Sequence, residues 1–323
     1  MKTLPLSNIL FNYSVSITLF TQTLLFIFLT LSFFNTLYIL RNYKKGSYTE
    51  LQYSLEKRSY LLFVTIKIAL IIKIVLLIFF TYTLNELSTL ITGAMCSAGV
   101  ITANNYGEPL LILKLLLILF AMLWLTLNKE DTHSKKMPYF KPKMYLFTLI
   151  YSFAFIEIVL ELLFFTNLST QKSVSCCSSI YSSVDEIMFF GFNISSLKLV
   201  TLFYLLFFAT ILSALLKKKY LLLFFSILFT YISYLSVVYF FSMYIYQLPS
   251  HHCPYCLLQS EYNYIGYFIY SSFIVALYYS ISAFFFNFLK KSFIYSIMFY
   301  SIFLFCVSIH FLIFLIVNRT LLC

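Results

Sequence analysis

Long apolar runs recur along the whole of this 323-residue chain and constrain its fold more than any other feature. Runs of about twenty apolar residues can each cross a hydrocarbon core of roughly 30 Å as a helix that rises about 1.5 Å per residue. The composition agrees, because 62% of the residues are hydrophobic and only 10% are charged, which leaves too little polar surface to coat a soluble globule. The sequence therefore predicts an all-α, polytopic transmembrane helical bundle with lipid as its main solvent.

The apolar runs predict eight spans, and the chain is expected to form a single integral membrane domain over residues 1–323. The predicted spans cover about residues 15–40, 61–83, 109–127, 145–166, 197–216, 220–246, 264–289 and 293–317. The long apolar stretch near the N-terminus is interpreted as a retained first helix, because it exceeds the length of a signal-peptide core.

The basic residues between the spans predict the orientation of the chain in the membrane. They collect in alternate loops, at Arg41, Lys44, Lys45, Lys57, Arg58, Lys129, Lys135, Lys136, Lys141, Lys143, Lys217, Lys218, Lys219, Lys290 and Lys291. Because cytoplasmic loops carry an excess of Lys and Arg, these loops should face the cytoplasm. Both termini are then expected on the non-cytoplasmic side.

The cysteines collect on the opposite side from these cations. The predicted outer loops cover about residues 84–108, 167–196 and 247–263, and they contain Cys96, Cys176, Cys177, Cys253 and Cys256. Cysteine packs readily as a small hydrophobe, so a purely structural role would place most of it within the spans. Only Cys306 lies inside one, and Cys323 ends the chain.

The sharpest motif in the chain is His251-His252-Cys253-Pro254-Tyr255-Cys256, placed just before the predicted seventh span. At a helix start, backbone N–H groups and a nearby imidazolium stabilise a thiolate and make it nucleophilic. The same two sulfurs, with one or both histidines, could instead be ligands of a soft metal ion. The motif is compatible with either chemistry.

The remaining outer cysteines offer partners for this motif. Cys176 and Cys177 are adjacent and bridge each other only with strain, so each is better placed to join a sulfur elsewhere or to join it on a soft cation. Cys96 lies in a stretch of small residues beside Met95, whose thioether could bind Cu(I). Five loop cysteines cannot all pair among themselves, which favours thiol-disulfide exchange or metal ligation over a purely structural set of disulfides.

Charged side chains also lie within the predicted spans. Glu157 and Glu161 are four residues apart and share one helix face, while Lys114 and Lys73 are the natural counter-ions. These four residues predict either a structural ion-pair network or a path for protons or cations.

The CPYC motif at the outer end of a span, preceded by further outer-loop cysteines, resembles the membrane thiol oxidoreductases of the vitamin K epoxide reductase and DsbB type. The resemblance implies that Cys253 and Cys256 form the pair next to a quinone. It also implies that Cys176, Cys177 or Cys96 supplies the shuttle thiols.

Three functions remain open from the sequence. The first is thiol-disulfide oxidoreduction, in which Cys253 or Cys256 attacks a disulfide and His251 or His252 assists proton movement. The second is binding or transport of a soft metal such as copper by Cys96, Cys176, Cys177, Cys253, Cys256, His251 and His252. The third is a membrane scaffold held by disulfides, without enzymatic activity.

The location and partners follow from the same features. We expect an integral protein of a bacterial inner membrane, with the cysteine loops periplasmic or extracellular. The expected partners are the lipid bilayer and an extracytoplasmic redox or metal-carrier protein, and the net charge of +11 is explained by the loop cations, without nucleic acid. The sequence contains no Walker loop, which argues against an ATP-driven pump.

Overall fold

The computed structural model describes most of the chain, with gaps between the described segments. The structure describes residues 9–43, 49–134, 137–170, 173–175, 187–189, 192–249, 251–286 and 291–320. Cys176, Cys177 and Cys323 lie outside the described residues.

Within these ranges, eight helical segments are long and apolar enough to cross a membrane, which confirms the predicted all-α polytopic bundle. The first four segments are α1 (Tyr13–Asn42), α2 (Glu50–Ser88), α4 (Gly107–His133) and α5 (Phe140–Thr166). The next two are α6 (Ser196–Leu215) and a composite of α7 (Lys219–Ser236), a π-helical turn (Val237–Phe241) and α8 (Ser242–Tyr246). The last two are α9 (Ile265–Phe285) and α10 (Ser292–Asn318).

Short elements lie between the spans. Helix α3 (Ser97–Ile101) follows the second span, and two short strands, β1 (Ile187–Phe189) and β2 (Phe192–Ile194), pair in an antiparallel sheet. Two 3₁₀ turns, Cys256–Leu258 and Ser260–Tyr262, precede α9. The loops that hold the predicted site are therefore partly structured.

Several helices continue beyond the apolar runs that predicted them. Helix α2 begins at Glu50, capped by the Thr49 hydroxyl, which accepts from the Gln52 N–H at 3.3 Å, whereas the sequence predicted a span from about residue 61. Lys57 and Arg58 consequently lie on this helix and not in a loop. Hydropathy marks only the lipid-facing part of a helix, whereas capping and backbone bonding extend it through the polar interface.

The chain divides into two compact units. The first comprises Met1–Thr92 and Val100–Val174, and the second comprises Gly93–Gly99 and Ser175–Cys323. The seven residues from Gly93 to Gly99 therefore pack with the second unit, although the chain on both sides of them belongs to the first. The prediction of a single domain over residues 1–323 stays a prediction.

In the first unit, aromatic stacking and a buried ion pair hold the helices together. Phe33 of α1 stacks on Tyr151 of α5 with ring centroids 4.1 Å apart. Lys143, which the sequence placed in a loop, is a buried residue of α5 that pairs with Asp131 at 2.9 Å and lies 3.6 Å from the centre of the Phe63 ring. The charge of Lys143 is tolerated in this apolar core because the Asp131 carboxylate and the face of the Phe63 ring both stabilise it.

In the second unit, small residues bring α9 and α10 close together. Ser280 and Ser296 share a hydrogen bond of 2.8 Å across the two helices, and Ser282 donates to Ser292 at 3.2 Å. Small hydroxyl residues permit close helix approach in a membrane and supply hydrogen bonds there. The buried core of this unit is rich in aromatic residues and includes Cys96, Cys253 and Cys256.

Candidate functional site

Cys96 enters the core of the second unit on the Gly93–Gly99 segment. The segment turns at Gly93, whose φ of 87° is accessible to glycine without strain. The Gly99 N–H donates to the Cys96 carbonyl at 3.1 Å, and the Gln259 side chain donates to the Met95 carbonyl at 3.1 Å. These contacts hold Cys96 fully buried, whereas its neighbour Met95 is 69% exposed.

Two tyrosines hold the backbone of the Cys253–Cys256 loop. Tyr246, at the end of α8, donates to the Cys253 carbonyl at 2.5 Å, and Tyr270 of α9 donates to the Pro254 carbonyl at 2.7 Å. The sequence gave no signal that Tyr246 supports this loop. Both residues support the motif from elements that flank it in the chain.

The motif does not lie at the start of the seventh span, although the sequence interpreted it as a CxxC at a helix start. The α-helix begins at Ile265, and Cys256 opens a three-residue 3₁₀ turn instead. The backbone breaks between them because Asn263 and Tyr264 both adopt left-handed conformations, with φ of 51° and 55°. The N–H groups of a long helix therefore do not account for any special reactivity of Cys253.

Three cysteines meet in the core and are called here the three-cysteine cluster: Cys96, Cys253 and Cys256. Their sulfur atoms all lie within 4.8 Å of one another, and the Cys96 and Cys253 Sγ atoms are 3.4 Å apart. A disulfide has a sulfur separation of about 2.05 Å, so Cys96 and Cys253 are in contact without being bonded to each other. All three side chains are buried.

The adjacent histidines have different environments. The His252 ring is buried, and its Nδ1 atom has no hydrogen-bond partner among the described residues. Burial lowers the pKa of His252 and outweighs a hydrogen bond between its ring and the Val238 backbone, which acts to raise that pKa. His251 is partly exposed, and its ring lies 4.5 Å from that of Tyr246. No histidine nitrogen of the described chain joins the group formed by the three sulfur atoms.

Val238 in the π-helical turn interacts with both Ser242 and His252. The Val238 carbonyl accepts from the Ser242 hydroxyl at 2.6 Å, and a hydrogen bond between the Val238 backbone and the His252 ring acts to raise the pKa of His252. A π-helical turn shifts backbone pairing by one residue, and such turns are frequent near functional sites. The sequence gave no signal for this turn.

The intramembrane charges form a separate cluster in the first unit. Lys114 donates to Glu157 at 2.8 Å and to Glu161 at 2.9 Å, and Lys73 also pairs with Glu157. All four side chains are buried, so the counter-ions expected from the sequence are present. Beside them is a cavity with room for about one water molecule, lined in part by Gln22, whose buried Oε1 has no described partner.

The remaining cysteines comprise one that lies outside the cluster and others that the structure does not describe. Cys176 and Cys177 lie outside the described residues, so their predicted role stays a prediction. Cys306 is buried in the core of the second unit but is not one of the three clustered cysteines.

Comparison with known proteins gave no family by which to interpret this site: no family model, curated protein or solved structure matches the chain.

Proposed function

We propose that this integral membrane protein carries out thiol-disulfide exchange at the three-cysteine cluster, on the non-cytoplasmic side of the membrane. The observation that carries the proposal is the 3.4 Å contact between the Cys96 and Cys253 sulfurs, with Cys256 in the same group. Disulfide exchange requires an attacking sulfur next to a disulfide whose second sulfur can leave. Cys96, Cys253 and Cys256 supply these three positions.

The exchange step conserves atoms and electrons. The Cys96 thiolate attacks the Cys253 sulfur of a Cys253–Cys256 disulfide, so a Cys96–Cys253 bond forms as the Cys253–Cys256 bond breaks. Cys256 leaves as a thiolate and takes up the proton that Cys96 lost. The step moves the disulfide within the protein and changes no net oxidation state.

Net turnover requires two further reactants. A dithiol on an extracytoplasmic redox protein would supply two electrons and two protons when it reduces the disulfide. A quinone in the bilayer would accept two electrons and two protons when the cysteines are reoxidised, as the resemblance to the vitamin K epoxide reductase and DsbB type suggests. Burial of the three sulfurs supports selectivity, because a thiol of another protein reaches them only when the surrounding loops open.

Removal of the leaving thiol tests the proposal. In Cys256→Ser, a disulfide between Cys96 and Cys253 cannot be resolved by Cys256 and should accumulate after mild oxidation of purified protein. Mass spectrometry of non-reduced peptides would detect the linked pair. The matched control is Cys306→Ser, which removes a buried cysteine of the same unit from outside the cluster.

The proposal predicts that the Cys96–Cys253 bond is abundant in Cys256→Ser and scarce in Cys306→Ser. Its absence from oxidised Cys256→Ser that still elutes as folded protein would refute direct exchange between these two sulfurs.

A further inference from the structure

The three sulfur atoms also have the geometry of a metal-thiolate site. We propose that the reduced three-cysteine cluster binds one monovalent copper ion through Cys96, Cys253 and Cys256. This inference goes beyond the proposed exchange and does not depend on it, because it concerns the reduced protein alone.

The distances need little adjustment for a metal ion. An ion about 2.3 Å from three sulfurs holds neighbouring sulfurs about 3.8 to 4.0 Å apart. The Cys96 and Cys253 sulfurs are 3.4 Å apart, and all three lie within 4.8 Å of one another. The Cys96–Cys253 pair would move apart by roughly half an ångström, whereas a disulfide at about 2.05 Å requires it to close by more than 1 Å.

The donor set selects a soft ion. Among the described residues, the group that could hold a metal consists of three cysteines and includes no carboxylate or imidazole. Thiolates favour Cu(I) and Zn²⁺ over the hard cations Mg²⁺ and Ca²⁺, which take oxygen ligands.

Burial distinguishes copper from zinc. Zn²⁺ is almost always four-coordinate, and a site with three protein ligands completes its shell with water or substrate. Cys96 and Cys253 have no exposed surface and Cys256 is 4% exposed, so the ion would lie in the apolar core of the second unit. This environment favours Cu(I), which is satisfied by three sulfurs and needs no water.

A soft donor also lies at the protein surface beside the cluster. Met95 precedes Cys96 in the chain and is 69% exposed. A thioether binds Cu(I) but holds it more weakly than a thiolate. Met95 is thus placed to receive an arriving ion and pass it to Cys96, with release of thiol protons as the thiolates bind.

The test uses the full-length protein, purified in detergent and reduced without oxygen. Cu(I) is added with a competing Cu(I) chelator, and bound copper is measured after desalting, with X-ray absorption to count the sulfur ligands. We expect one copper per chain, bonded to three sulfurs. Cys96→Ser, Cys253→Ser and Cys256→Ser should each lose it, whereas Cys306→Ser and the double variant Cys176→Ser/Cys177→Ser should keep it.

Each alternative result contradicts the proposal. Loss of copper binding in the Cys176→Ser/Cys177→Ser variant would show that the three-cysteine cluster alone is insufficient to bind the ion. Retention of Zn²⁺ but not Cu(I) under the same competition would show that the site is built for another ion. If folded wild-type protein holds no copper yet Cys256→Ser accumulates the Cys96–Cys253 disulfide, the metal proposal fails while the exchange proposal stands.

Discussion

Glu157 and Glu161 lie one turn apart on α5 but have different surroundings. Both oxygens of Glu157 are engaged, one by Lys73 and one by Lys114. Glu161 is paired through one oxygen only, and its buried Oε1 has no hydrogen-bond partner among the described residues. Lys114 completes its contacts on the face of the Phe80 ring, 4.6 Å from the ring centre. The two carboxylates should therefore contribute unequally to stability.

Glu157→Gln should destabilise the first unit by about 3 to 5 kcal/mol, because buried Lys73 loses the one carboxylate it pairs with among the described residues, and Lys114 loses one of its two. Glu161→Gln should cost less than half as much, since Lys114 keeps its contact with Glu157. Thermal unfolding in detergent, followed by the loss of helical circular dichroism, measures both. Equal losses would contradict the asymmetry.

At the level of single residues, the sequence predicted the charges better than the cysteines. Spacing of four placed Glu157 and Glu161 on one face, and the scarcity of intramembrane cations left few possible partners. The meeting of Cys96 with Cys253 depends on contacts between segments 157 residues apart, which no local pattern encodes. Which of the two adjacent histidines is buried was equally unpredictable from local sequence.

Among the structural elements, the start of α9 packs tightly against the turn that carries Cys256. A Cβ atom on Gly266 would lie 2.8 Å from the backbone carbonyl of Leu257, which is closer than van der Waals contact allows. Leu257 is fully buried and directly follows Cys256. The glycine thus sets how closely α9 approaches the three-cysteine cluster.

Gly266→Ala should cost about 1 to 3 kcal/mol as an overpacking substitution and should move the Cys256–Leu258 turn. Because this turn carries one of the clustered sulfurs, alkylation of Cys253 and Cys256 by a maleimide should become faster. Peptide mass spectrometry over time measures the rate.

Gly107→Ala is the matched control for this substitution. A Cβ atom there would collide with the Ile101 carbonyl in the first unit, which contains none of the three clustered cysteines. We expect lower stability in both variants but faster alkylation only in Gly266→Ala. Unchanged alkylation in Gly266→Ala would show that the packing of α9 does not control access to the cysteines.

Apolar runs were enough to predict the spans, but not the ends of the helices or their irregular turns. Eight spans follow from hydropathy because every segment that crosses lipid must be apolar and must satisfy its backbone hydrogen bonds as a helix. The early start of α2 depends on the Thr49 cap, and the break between the Cys256–Leu258 turn and α9 depends on the left-handed residues Asn263 and Tyr264. Such features depend on local hydrogen bonds, which composition does not report.

At the scale of the whole molecule, the basic residues between spans predict that the loop over residues 247–263 faces away from the cytoplasm. Two exposed positions of the second unit allow a direct test: Leu248, just after α8, and Lys218, between α6 and α7. Each would be changed to cysteine in a background that lacks Cys176, Cys177 and Cys323.

A membrane-impermeant maleimide should label Leu248→Cys in intact cells and Lys218→Cys only after the membrane is opened. The reason is that the two positions lie at opposite ends of the composite sixth span. The reverse pattern would place the three-cysteine cluster on the cytoplasmic side, where disulfides are normally kept reduced.

The length of α2 has a consequence for the surrounding bilayer. Its 39 residues extend about 58 Å, compared with roughly 40 to 45 Å for a bilayer with its headgroups. The N-terminal end, which carries Lys57 and Arg58, is helical without being apolar. When the hydrocarbon thickness changes, α2 can therefore adjust its tilt. Turns of the same helix then move into or out of the headgroup layer. Hydrophobic mismatch at this span need not unwind any backbone.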